Sequence, residues 1–305
     1  MQRILSTAVI VGLLAATAAA FAITERLKLT KSPLTGTHVI RGYVSPRART
    51  TAAINVRFRR SDLTTVTMLD SHRHDVDTIA FRVLVPRGRR TFTWSGLTDA
   101  GTRAADGTYR MEIHLANQHR TILLPNPIVL ETRPPAVLDA GAERPAFSPD
   151  GDNQSDTVTI HYKLSEDAHV LVYVNGQRII RGRSHKPKDK VAWGGKVDGK
   201  LLPPGTYVLT VSAVDLAGNA AKKVQHVSVT LRYIALGAKR VVLPAGGRLR
   251  IGVSTDAKRY RWTLGARSGK GSGRVLKLHA PTSRGTYRLT VSERGHVDTA
   301  SVVVR

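Results

Sequence analysis

The sequence predicts an all-β fold of tandem β-sandwiches behind an N-terminal hydrophobic segment, on three observations. Short alternations dominate: from Ala53 to Arg59, Ile54, Val56 and Phe58 fall on one side and Asn55, Arg57 and Arg59 on the other, the two-residue period of a strand. Beyond the N-terminus no stretch keeps a helical apolar period across about a dozen residues. Landmarks also return in order: Ser45-Pro46, Trp94-Ser95-Gly96 and Gly107-Thr108-Tyr109 recur as Ser148-Pro149, Trp193-Gly194-Gly195 and Gly205-Thr206-Tyr207, the mark of a duplicated domain.

Length and charge bound the reading. A chain of 305 residues suits two to three domains of roughly 100 to 150 residues, and three small ones fit best. The formal net charge is +25, more than folding needs, which implies attraction to polyanions. It is uneven. Residues 232–305 hold 16 basic and 3 acidic side chains, against 12 and 10 in 134–231 and 19 and 9 in 1–133. With no cysteine, disulfides, thiolate metal sites and cysteine nucleophiles are excluded.

In chain order, 1–24 reads as an export signal or membrane anchor. It has Arg3 and then no charge from Ile4 to Thr24, with Ala20-Phe21-Ala22 matching a small-x-small cleavage site. Uncleaved, about 20 such residues at about 1.5 Å rise would reach across a bilayer. A polar linker follows at 25–36, and the first repeat occupies 37–133. Its expected strands are Val39 to Val44, Ala53 to Arg59, Thr65 to Leu69 and Ile79 to Val85. Phe92 to Trp94 and Tyr109 to Ala116 are read as a closing hairpin around the turn-rich Asp99 to Asp106. Pro125, Pro127 and Pro134-Pro135 are read as the border to the second repeat, 134–231. There Thr157 to Leu164 and Val170 to Val174 are strands, Asn175-Gly176 is a hairpin turn, and Tyr207 to Val214 and Val224 to Leu231 close the unit. The third unit, 232–305, has legible strands at Leu249 to Val253, Tyr260 to Leu264, Val275 to Leu278, Tyr287 to Val291 and Thr299 to Val304. Its Trp262 precedes Tyr287 by 25 residues, against 15 and 14 for the tryptophan-tyrosine pairs before it, which predicts a sandwich of a different kind. Two packed sheets of short alternating strands bury one face of each.

The run Phe147-Ser148-Pro149-Asp150-Gly151-Asp152, followed by Trp193-x-Gly195 and Gly205-Thr206-Tyr207, resembles the immunoglobulin-like (Ig-like) domain of the flagellar hook-capping protein, a module of many exported bacterial surface proteins. The resemblance covers 40–231. It implies an Ig-like sandwich and an extracellular setting, but no activity, because nothing in this chain matches the region through which a hook-capping protein assembles. Where that family has Trp-Asp-Gly, this chain has Ser95 or Gly194 in the middle, and the first repeat lacks the acidic run after Ser45-Pro46. Asp215-Leu216-Ala217-Gly218-Asn219 is similar to the final hairpins of bacterial Ig-like adhesin repeats.

Several constellations invite chemistry. Asp150, Asp152 and Asp156, with Asn153 and Ser155 adding oxygens, have a spacing that suits calcium, a hard cation taking several carboxylate and carbonyl ligands. Gln154 at the third acidic position and the missing later glutamate break the EF-hand pattern, so a solvated Asp-Asn turn is the competing reading. His72-Arg73-His74-Asp75 offers two imidazoles and no third ligand, and reads as a turn. Trp94, Trp193, Tyr109 and Tyr207 form either a carbohydrate-stacking set or, as their equivalence in both repeats favours, core packing. Gly269-Lys270-Gly271-Ser272-Gly273 departs from a phosphate loop in spacing and in the residue after the lysine. No Gly-x-Ser-x-Gly elbow occurs. In the basic third unit, alternation sends Tyr260 and Trp262 one way and Arg259 and Arg261 the other, where Arg248 and Arg250 are expected to join them as a polyanion-binding face.

Together these predict a non-enzymatic exported cell-envelope protein, secreted or membrane-anchored. It would be an Ig-like stalk whose basic C-terminal domain contacts anionic wall or membrane polymers, with no specific nucleic acid partner. The alternative is an accessory or substrate-binding subunit of an envelope enzyme or secretion complex, with another envelope protein as partner.

Overall fold

A computed structural model describes residues 12–21 and 31–305. Residues 12–21 form a helix with exposed side chains, in which the Thr17 hydroxyl donates to the Leu13 carbonyl at 2.6 Å. Among the described residues no helix is long and apolar enough to cross a membrane. The remainder of the expected signal or anchor, with Arg3, and residues 25–30 of the expected linker lie outside the described residues, and the first strand already begins at Leu34, inside that expected linker. The described remainder is strand and turn, in two compact units, Met1–Thr132 and Arg133–Arg305.

The first unit is one sandwich: β1 (Leu34–Arg41), β2 (Tyr43–Val44), β3 (Ala52–Phe58), β4 (Asp62–Leu69), β5 (Asp75–Val85), β6 (Gly88–Trp94), β7 (Gly107–Leu115) and β8 (Arg120–Leu130). Its sheets run β1-β3-β6 and β2-β8-β7-β4-β5, with β2 parallel to β8 and the other pairs antiparallel. The alternation of β3 is realised fully: Ile54, Val56 and Phe58 are buried while Arg57 is exposed. The expected hairpin of Phe92 to Trp94 with Tyr109 to Ala116 is not formed. β6 lies in the smaller sheet and β7 in the larger, so the turn-rich segment between them crosses from one sheet to the other, and β7 pairs with β8 instead. Pro125 and Pro127 mark no border, because both lie inside β8. They fall beside a register shift between Arg110 and Glu112 of β7, where the ladder tolerates a residue without an N–H.

The second unit holds two further cores. One belongs to β9 (Val137–Ala142), β10 (Ala146–Phe147), β11 (Val158–Leu164), β12 (Ala168–Val174), β13 (Gln177–Arg181), β14 (Lys188–Trp193), the small hairpin β15 (Lys196–Val197) and β16 (Lys200–Leu201), β17 (Gly205–Asp215) and β18 (Gln225–Leu231). The other belongs to β19 (Ile234–Leu236), β20 (Arg240–Leu243), β21 (Arg248–Thr255), β22 (Tyr260–Leu264), β23 (Arg267–Gly271), β24 (Val275–His279), β25 (Gly285–Glu293) and β26 (His296–Val304).

All three sandwiches share one strand order. The three-stranded sheets are β1-β3-β6, β9-β11-β14 and β19-β21-β24, and the five-stranded ones begin with a short strand parallel to the last strand of the unit, as in β10-β18-β17-β12-β13 and β20-β26-β25-β22-β23. This is the arrangement of an Ig-like sandwich. The expectation of a different third kind is thereby corrected. Trp262 sits on β22, the counterpart of β4 and β12, whereas Trp94 and Trp193 end β6 and β14.

The landmark that does recur three times is Gly-Thr-Tyr, opening β7, β17 and β25. Each tyrosine hydroxyl donates to the carbonyl four residues earlier: Tyr109 to Ala105 at 2.6 Å, Tyr207 to Pro203 at 2.6 Å and Tyr287 to Ser283 at 3.0 Å. Such a tyrosine corner ties the crossing segment to the next strand. In the first two sandwiches the tryptophan completes that tie. Its Nε1 donates at 2.9 Å to Leu97 or Lys196, three residues on, and its ring packs on Tyr109 or Tyr207. The glycine of Trp-x-Gly has φ of +80° at Gly96 and +72° at Gly195, and a Cβ there would come within 2.8 Å of Pro46 or Leu231. Left-handed backbone under a close neighbour is the reason for glycine.

Candidate functional site

The third sandwich carries its excess charge on two outer faces. On β21, Leu249 and Ile251 enter the core and Arg248 and Arg250 point out. Their cross-strand partners on β24 are His279 and Lys277, so Arg250 stands directly opposite another cation. Like charges in that position destabilise a strand pair by a fraction of a kcal/mol, about 0.2–1. The second group lies on the other sheet. Arg261 projects from β22 beside Lys270 of β23, and with Arg259 and Arg294 they line an open groove of about 520 Å³ that also reaches Tyr260 and Glu293. The expected single face of Arg248, Arg250, Arg259 and Arg261 is therefore two faces, because β21 and β22 belong to opposite sheets of one sandwich. Among the described residues, the ion pairs of this sandwich join Lys239 to Asp298 and Arg294 to Glu293, so none of those four arginines is neutralised by a carboxylate. Gly269 and Gly271 form no phosphate loop. They belong to β23, where the rings of Trp262 and Tyr260 lie against their backbone.

Asp150, Asp152 and Asp156 do converge, with oxygens within 4.8 Å of one another, in the loop between β10 and β11. The loop is held by its own carboxylates. Asp156 accepts from the amides of Gly151 (2.7 Å) and Asn153 (2.8 Å), Asp152 from the amide (2.7 Å) and side chain (3.0 Å) of Gln154, and Asp150 Oδ1 from the Asp152 amide (3.1 Å). Asp150 Oδ2 is shielded from solvent and has no hydrogen-bond partner.

The third sandwich approaches this loop at Asp150. Glu293, at the end of β25, lies against Asp150, and Asp256, in the loop between β21 and β22, lies near Asp150, Asp152 and the Ser148 hydroxyl. Burial, then the facing Asp150 and Asp152, push the Glu293 carboxyl up to about 7 against the opposing pull of Arg294. Burial first, with the same two aspartates adding, also raises Asp256. Beside this group Tyr233 packs into the second core and stacks on His296 at a ring separation of 3.4 Å. Sequence reasoning found one side of this cluster and missed the other. Asp256 and Glu293 lie more than about a hundred residues along the chain from Asp150, and the one available signal was that they are two of only three acidic residues after position 231.

The remaining candidates resolve as structure. Asp70 joins His72 and His74 in a group able to hold a metal, but all three sit in the exposed turn between β4 and β5. Asp70 Oδ1 accepts both histidine amides at 2.8 Å, and the His74 amide foremost holds the Asp70 carboxyl below its usual range. Trp94, Tyr109 and Trp193 are at most 5% exposed, and Tyr207 is half-buried with its ring against Trp193, so the four side chains serve core packing. The Asp215–Asn219 loop closes on itself through two 2.7 Å bonds from Asn219 to the buried Asp215 carboxylate.

No known protein family matches the chain, and no curated protein does. Among solved structures it is similar to the D0-D1 domain of intimin, with 10% identity over 65% of this chain and 98% of that one at a TM-score of 0.26. It is likewise similar to the Yersinia pseudotuberculosis adhesin InvE, with 10% identity over 66% and 60% at 0.25. A tetra-tandem repeat from a large adhesion protein is 16% identical over 85% and 72% at 0.25. At these scores the likenesses carry no functional argument, and the Ig-like assignment rests on strand order.

Proposed function

We propose that this protein is a non-enzymatic, exported component of a cell envelope: a stalk of Ig-like sandwiches, the first two of the hook-capping kind, whose basic third sandwich binds anionic wall or membrane polymers. The observation that carries this reading is the pair of outer faces on the third sandwich, where Arg248, Arg250, Arg259 and Arg261 stand beside Lys277 and Lys270 without carboxylate partners. Repulsion within each face is relieved when a polymer with regularly spaced phosphates or carboxylates lies along it, and guanidinium groups grip such oxyanions in pairs. Two faces on opposite sheets give two weak contacts in place of one strong one, which suits a protein that holds a surface rather than a single small ligand.

The test is co-sedimentation of the full-length protein with a phosphate-backbone wall polymer at low and high salt. Affinity should fall at least about tenfold at high salt, as release of condensed counterions requires, and fall again when Arg248 and Arg250, or Arg259 and Arg261, are changed to alanine. Binding that ignores both salt and these substitutions contradicts the reading.

A further inference from the structure

We infer that the junction between the second and third sandwiches binds a divalent cation of the calcium class, held jointly by Asp150 and Asp152 of the second sandwich and Asp256 and Glu293 of the third, with the Ser148 hydroxyl. This goes beyond a calcium loop made of Asp150, Asp152 and Asp156 alone, and it does not depend on what the basic faces bind.

Acidic residues by themselves make no site; the deciding observation is which of their oxygens lack partners. Glu293 is only 8% exposed, and while Arg294 approaches its Oε1 at 3.4 Å, its Oε2 is shielded and has no partner. Ser148 is 2% exposed, with an unpartnered hydroxyl. Asp150 Oδ2 and both oxygens of Asp256 are in the same condition. A buried polar atom without a partner costs about 1–3 kcal/mol, more when charged. Here Glu293 lies against Asp150, and Asp256 lies near Ser148, Asp150 and Asp152, so unpartnered oxygens of two sandwiches are neighbours.

The donor set is entirely oxygen, without nitrogen or sulfur, which selects a hard cation over zinc or copper. Five unpartnered oxygens, with Asp152 retaining second lone pairs beyond its Gln154 bonds, approach the six to eight ligands that calcium takes. Composition points the same way. A segment with 16 basic residues spends two of its three acids on the surface that meets an acidic loop, where pairing with its own cations was available.

The test uses the full-length protein, stripped with a chelator and titrated with calcium chloride at pH 7.5. Calorimetry should show one site, with an affinity in the roughly 0.1–1 mM range of extracellular calcium modules. Thermal unfolding should rise by about 5 °C in a few millimolar calcium. Glu293→Gln and Asp256→Asn should each weaken binding at least about tenfold, while Asp189→Asn, on strand β14, leaves it unchanged. The idea fails if the folded protein shows neither heat nor a thermal shift, or if Glu293→Gln and Asp256→Asn bind as the parent does while Asp156→Asn abolishes binding, which would place the ion in the loop alone. Terbium luminescence, sensitised by Tyr233 beside Asp150, needs no substitution: emission displaced by calcium supports the joint site, and its absence overturns it.

Discussion

The loops that follow Ser-Pro in the first and second sandwiches occupy the same place in the fold and are closed in opposite ways. In the first, 45–51, the Thr50 hydroxyl accepts from the Ser45 amide at 2.8 Å, the Thr50 amide donates to the Ser45 carbonyl at 3.1 Å, and the Ser45 hydroxyl accepts from Ala48 at 3.3 Å. These closing bonds join neutral groups within the loop, and the side chains of Arg47 and Arg49 take no part in them. In the second, 148–157, the counterpart serine is equally buried, its hydroxyl is unpartnered, and three aspartates replace the neutral closure. The third sandwich makes the same connection with residues 244–247, closed by a 2.9 Å bond from Gly247 to Pro244. Turning from the short parallel strand into the next sheet therefore needs neither length nor carboxylates. The acidic chemistry of 148–157 is surplus to folding its own sandwich, and the cluster it forms with Asp256 and Glu293 gives that surplus a use.

Exchange of the loops breaks the comparison most severely. Replacing 148–157 by the sequence of 45–51 should leave a folded second sandwich, read by the near-ultraviolet signal of Trp193, and abolish the whole calcium-dependent thermal shift of about 5 °C. A folded chimera that retains the shift would mean that the loop is not the ligand. A smaller effect sharpens the other side. Thr50→Val removes one hydrogen-bonding hydroxyl from a loop closed without carboxylates and should cost about 1 kcal/mol in urea unfolding, with no change in the calcium response. A change in that response would show that the two loops are not independent.

Much of the fold was legible in the sequence, because alternation reports burial directly when one face of a strand is buried and the other solvated. Ile54, Val56 and Phe58 are the clearest instance. Position along the chain proved a poorer guide than position in the strand order. Pro125 and Pro127 carry the local signature of a border, yet a bulged register absorbs them within β8. Trp262 looks like the counterpart of Trp94 and Trp193 by residue type, but the invariant of this architecture is the tyrosine corner, whose third copy at Gly285-Thr286-Tyr287 lies in the same run of letters as the first two. Asp150 and Asp152 announce themselves by spacing. Asp256 and Glu293 stand alone in their segments, and only the docking of two sandwiches brings them to the aspartates. Likewise Arg248 and Arg259 share a sign and an alternation but face opposite ways, because a sandwich has two outer surfaces and a linear pattern does not say which sheet a strand joins.

Amide hydrogen exchange on the full-length protein, with chelator and with calcium, tests the contrast between the two loops most directly, since both are read in one sample. Protection should rise on calcium addition in 148–156, 255–257 and 293–296 together, and stay unchanged in 45–50. A response shared equally by both Ser-Pro loops, or one confined to 148–156 with 255–257 and 293–296 silent, would contradict a cation held jointly by two sandwiches.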